Sequence, residues 1–71
     1  MRRLGGQSDE ALADLDAALE ADPGHVRALV HRARLHLERG ETGLTRKDLD
    51  AALELSPHDH EARALATELS N

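Results

Sequence analysis

The stretch LDAALE, residues 15–20, returns letter for letter at residues 49–54. The two copies start 34 residues apart, and other residues keep the same offset: Gly6 with Gly40, Asp14 with Asp48, Pro23 with Pro57, Ala28 with Ala62, Leu35 with Leu69. A fixed period of roughly twenty to fifty residues marks stacked supersecondary units, none of which can bury its apolar face alone. The repetition therefore predicts an architecture before any single element is assigned.

Composition narrows that architecture. A chain of 71 residues has room for one small domain, of the size that is marginal without disulfides, metals or partners. It has no Cys, which excludes disulfides and thiolate metal sites. There is no Phe, Tyr, Trp or Ile and only two Val, so the apolar work falls to Leu and Ala, the strongest helix formers. The expected fold class is all-α. A net charge of -5 argues against general binding to a phosphate backbone. The start, MRRLGGQSDEALADL, has two arginines but no following apolar run, so it does not read as a secretory leader. No segment approaches the roughly 20 apolar residues that span a bilayer. The expectation is a cytoplasmic protein without membrane contact.

Four helices are predicted. Ser8 or Asp9 can cap a first, 8–21, with Ala11, Leu12, Leu15, Ala18 and Leu19 as its apolar set, stopped by Asp22-Pro23-Gly24. A second runs from Val26 to Arg39 and meets Gly40, a left-handed cap. Thr42 is the expected cap of a third, which reaches Leu55 before Ser56-Pro57, with Gly43 weakening its first turn. Asp59 is the expected cap of a fourth, spanning His60 to Leu69, striped by Ala62, Leu65, Ala66 and Leu69. Short connections imply antiparallel neighbours.

A helix, a tight turn, a second helix and then Pro, every 34 residues, resembles the tetratricopeptide repeat. Ala11, Leu15, Ala18 and Pro23 match the second half of one repeat; Leu29, Ala33, Leu49, Ala52 and Pro57 match a complete one. The resemblance implies a single domain over 1–71: residues 8–21 as the second helix of a partial repeat, 26–55 as one full repeat, and 59–70 as the first or capping helix of the next. It also implies that Ala18 and Ala52 are buried close-contact positions. The chain departs from the family's pattern where a Leu becomes Arg32, a Tyr His36, a small Ala Thr45 and a bulky apolar residue Arg63. The family's register turns Leu29, Arg32, Ala33 and His36 toward the third helix. Helical spacing alone instead puts the main apolar stripe along Val26, Leu29, Val30, Ala33 and Leu37, with Ala28 and Leu35 on another side. Either the Arg32 stem lies along the packed surface with its head in water, or this pair packs unlike the family.

By resemblance the chain is a non-catalytic interaction module that presents a groove to a protein or peptide. The groove residues would be Arg27, Val30, Arg34, Leu37 and Glu38, followed by Glu61 and Ala64. Spacing agrees, because Arg27, His31, Arg34 and Glu38 fall at i, i+4, i+7 and i+11 on one helix face. Two arginines there suit carboxylates, so the expected partner is acidic. The final stripe has no following helix in the sequence, and self-association, or membership of a longer array, is expected; a plain helical homo-oligomer with a structural role is the alternative. The carboxylates Asp14, Asp16, Glu20 and Asp48, Asp50, Glu54 repeat as solubilising faces do.

Other chemistries find little support in the residues. Pro57-His58-Asp59-His60 holds metal-ligand types, but residues two apart on a helix diverge, and no metal or other cofactor is expected. No catalytic residue is identified: there is no Cys nucleophile, no Ser-His-Asp arrangement and no phosphate loop. A nucleic-acid module is the remaining rival class, since Arg27, Arg32, Arg34 and Arg39 share one helix. They surround it instead of forming a stripe, and no aromatic is present for base stacking, so nucleic acid is not an expected partner.

Overall fold

The computed structural model describes residues 3–70, with side chains from Asp9 onward. It has four helices: α1 (Arg3–Ala21), α2 (Val26–Glu38), α3 (Thr42–Leu55) and α4 (His60–Ser70). All-α is therefore the observed class, with no strand among the described residues. The helices make a slab 36 × 32 × 17 Å. At its centre lies α2, which packs most extensively on α3 and also touches α1 and α4, while α1 and α3 do not meet among the described residues.

The repeat holds down to single hydrogen bonds in the turns. After α1, the His25 N–H donates to the Asp22 carbonyl at 3.1 Å; after α3, the Asp59 N–H donates to Ser56 at 3.1 Å. His25 Nδ1 then caps α2 by accepting from Ala28 N–H at 3.2 Å, and Asp59 Oδ2 caps α4 by accepting from Ala62 N–H at 2.9 Å. His25 thus does on α2 what Asp59 does on α4, satisfying a donor that the first helical turn leaves without a partner.

Two expected caps fail. Helix α1 does not begin at Asp9, whose carboxylate is engaged sideways by Arg39 at 2.7 Å; the helix runs back to Arg3. The Ser8 side chain lies outside those described. Thr42 is already helical, and Glu41 occupies the cap position without a side-chain bond. The end of α2 follows expectation. Gly40 has φ of 79°, its N–H reaches the Leu37 carbonyl at 3.0 Å, and the Glu41 N–H reaches His36 at 2.8 Å. This pair of bonds closes a Schellman motif, which requires the left-handed residue.

The core is built from Leu19 of α1, Ala28, Leu29, Val30 and Ala33 of α2, Leu49 and Ala52 of α3, and Ala62 and Leu65 of α4. Half of the final helix's stripe, Ala62 and Leu65, is thereby covered within the chain, leaving Ala66 and Leu69 partly buried at its edge. Ala52 is fully buried, but Ala18 is only half-buried. The expectation that both would be tightly covered fails for Ala18 because α2 lies across α3 far more fully than across α1.

Candidate protein-binding site

Helices α2 and α4 run together along one face, which carries two open depressions. Val26, Arg27, Val30, Ser56, Asp59 and Glu61 line one of about 390 Å³. Arg34, Leu37, Glu38, Leu65 and Glu68 line the other, of about 440 Å³. An ion pair from Arg34 Nη2 to Glu61 Oε2 joins the two linings. Five of the six contact residues expected on α2 therefore gather here: Arg27 and Val30 in the first depression, Arg34, Leu37 and Glu38 in the second. Their contributions differ. Val30 is only 2% exposed, so it forms the floor and supports the surface more than it offers contact area. Arg27, Arg34 and Glu38 are exposed, and Leu37 is half-buried. Glu61 lies on the face as expected; Ala64 is exposed but lines neither depression.

His31 belongs elsewhere. It lines a third groove, on the α1 side of α2, together with Ala11, Asp14, Leu15, Arg34 and Leu35. One helix face in the sequence thus becomes two surfaces in the fold, because α2 is wedged between α1 and α4.

The α2 arginines are largely engaged by this chain's own carboxylates. Arg32 reaches Asp48 through Nε to Oδ2 at 2.9 Å and Nη2 to Oδ1 at 2.8 Å, and Asp16 through Nη1 at 2.7 Å. The Asp48 bonds above all, with Asp16 assisting against the opposing effect of burial, hold its pKa above arginine's ordinary value. Arg39 pairs with Asp9 at 2.7 Å and lies 3.5 Å from Glu41, and the Asp9 bond raises its pKa. Arg34 is held by Glu61. Only Arg27 among these four has no ion-pair partner among the described residues.

Sequence reasoning missed the polar cluster behind this face. Asp48 was expected on a solubilising surface but is buried, with Arg32 on it and His36 Nε2 at 3.7 Å. His36 Nδ1 also lies 2.8 Å from Glu41 Oε1. The available signal was the position of Asp48 inside the stripe Thr45, Leu49 and Ala52, where a solvated carboxylate has no place. The cluster also decides the register of α2: Arg32 and His36 both turn toward α3, as the resemblance implied. The guanidinium is neither free in water nor merely snorkelling. Asp59, from the histidine-rich turn, is committed to capping α4.

Paired helices with this period, these turn bonds and a buried Leu-Ala seam define an α-helical repeat protein. A tetratricopeptide-repeat family model matches residues 4–69, and the chain belongs to that family. No curated protein and no solved structure was matched. Repeats of this family generally mediate protein–protein interaction and are typically non-catalytic. No helix among the described residues is long and apolar enough to cross a membrane.

Proposed function

We propose that this chain is a non-catalytic interaction module that holds a peptide segment of a partner protein along the α2–α4 face, with an acidic residue of the peptide at Arg27. The observation that carries this reading is the uneven engagement of the cations: Arg34 is occupied by Glu61, whereas Arg27 stands exposed beside a depression floored by Val26 and Val30. A guanidinium fork suits a carboxylate. An exposed ion pair alone is worth only about 0–1 kcal/mol, so apolar burial on the half-buried Leu37, at about 25 cal/mol per Å², supplies the remainder. Without an aromatic anchor the affinity is modest, and salt weakens it.

Fluorescence anisotropy with a labelled, acidic amphipathic peptide tests this reading, alongside the same peptide with each Glu replaced by Gln. The acidic form binds better, Arg27→Ala removes that preference, and Glu61→Gln tightens binding by releasing Arg34. Indifference to all three changes refutes the proposal.

A cytoplasmic homo-oligomer with a structural role is the second reading. It is favoured by Leu44 and Leu55, which are 46% and 54% exposed on α3. Light scattering separates the two: a mass that rises with concentration and falls back in Leu55→Glu supports the oligomer.

A further inference from the structure

The α2–α4 face carries opposite charges at its two ends. Helices α2 and α4 run along it in the same direction. Val26 and Arg27 share the first depression with Asp59 and Glu61, and Leu37 and Glu38 share the second with Leu65 and Glu68. Both helix starts, the positive ends of their dipoles, therefore lie at the first depression. Glu38 closes α2 and Glu68 sits in the last turn of α4, so both negative ends lie at the second.

The side chains follow the same polarity once those already committed are set aside. In the first depression Asp59 accepts the Ala62 N–H at 2.9 Å, and Glu61 pairs with Arg34. The exposed Arg27 is the uncommitted charge there. In the second depression Arg34 is held by Glu61, while Glu38 and Glu68 are exposed. Neither glutamate has an ion-pair partner among the described residues. Half-buried Leu37 lines the same depression. The face thus has a lone cation, then a neutralised pair, then two lone carboxylates beside an apolar wall.

We propose that this face reads the order of charges in its peptide. An acidic residue lies at Arg27, and a Lys or Arg of the same segment lays its stem on Leu37 and its cation at Glu38 and Glu68. A long basic side chain suits that depression because its stem is apolar and its head charged. The inference rests on the peptide-binding reading above and adds to it the basic residue and which end of the peptide lies where. Two separate depressions suit an extended segment that drops a side chain into each better than a helix about 10 Å across. Glu38 follows Arg27 by 11 residues on one helix face, about 16 Å along the axis. An extended segment covers that distance in about five residues.

The probe is a fluorescein-labelled peptide of apolar and Gln residues carrying one Glu and, about five residues away, one Lys. It binds the whole protein about two- to fivefold more tightly than its Lys→Gln form, the range of an exposed ion pair. The Glu38→Gln, Glu68→Gln double variant loses that preference; neither glutamate has a partner to lose, so the variant stays folded. Arg27→Ala keeps the preference for Lys and loses the one for Glu over Gln. A nitroxide beside the peptide's Glu broadens the amide resonances of Arg27 and Val30, and one beside its Lys those of Glu38 and Glu68. Exchanging Glu and Lys in the peptide exchanges the two patterns. Two outcomes overturn the inference while peptide binding stands: equal binding of the Lys and Lys→Gln forms with the Arg27 preference intact, or broadening that ignores the charge order. No saturable binding of any form overturns both.

Discussion

Arg32 on α2 grips the buried carboxylate of Asp48 on α3 with two parallel hydrogen bonds, 2.9 and 2.8 Å long, while its remaining nitrogen reaches Asp16 on α1 at 2.7 Å. One side chain thereby ties together two helices, α1 and α3, that do not otherwise touch among the described residues. Asp48 can be buried because it is satisfied by this fork.

Breaking the pair is costlier than replacing it. Arg32→Ala leaves a buried carboxylate with only His36 nearby, and a loss of about 2–4 kcal/mol is expected. Arg32→Leu combined with Asp48→Ala removes the stranded charge and restores an apolar contact, so the double variant is more stable than Arg32→Ala alone. Urea melts followed by circular dichroism measure both. A double variant no better than the single one would show that the stranded charge is not what costs stability.

Substitution at the two equivalent alanines gives unequal results. Ala52 has no exposed surface, so Ala52→Leu overpacks the α2–α3 seam and costs about 1–3 kcal/mol. Ala18 is half-buried beside the open groove, and Ala18→Leu costs clearly less. Equal losses in thermal melts would contradict the asymmetric covering of the two LDAALE helices.

That asymmetry marks the limit of what the sequence makes legible. The period, the all-α class, the Gly40 stop and the Asp59 cap follow from residue types and spacing, because each rests on local chemistry. The burial of Asp48 and the separation of His31 from Arg27 depend on which helices flank α2, and periodicity along one helix carries no such information. His25 escaped as a cap because histidine is a less usual choice there than Asp; its place 34 residues before Asp59 was the signal. The five-residue gathering of Arg27, Val30, Arg34, Leu37 and Glu38 was legible, and the occupation of Arg34 by Glu61 was not.

Gly40 and Gly43 stand three residues apart and respond in opposite directions. Gly40→Ala forces a left-handed conformation on a residue with a Cβ, although no neighbour obstructs that atom, and costs about 1 kcal/mol. Gly43 lies in the first turn of α3 with open space around it; Gly43→Ala restricts the unfolded chain and gains about 0.4–1 kcal/mol. Melting temperatures moving the same way in both variants would remove the assigned backbone roles.

The equivalence of His25 and Asp59 yields a stabilising change. Aspartate is a strongly favoured cap and adds a negative charge at the positive end of the helix. His25→Asp is expected to raise stability by about 0.5–1 kcal/mol, and Asp59→Ala to lower it by about 1 kcal/mol. Denaturant titrations at neutral pH check both, and a destabilised His25→Asp would set the turn-level repeat aside.

The most direct test of the proposed function is residue-resolved nuclear magnetic resonance during titration with the acidic amphipathic peptide. The account predicts saturable shifts at Arg27, Leu37 and Glu38 on α2 and at Leu65 and Glu68 on α4, diminished by added salt, with Leu44 and Leu55 on α3 unmoved. Shifts confined to α3, or none that saturate, would contradict it.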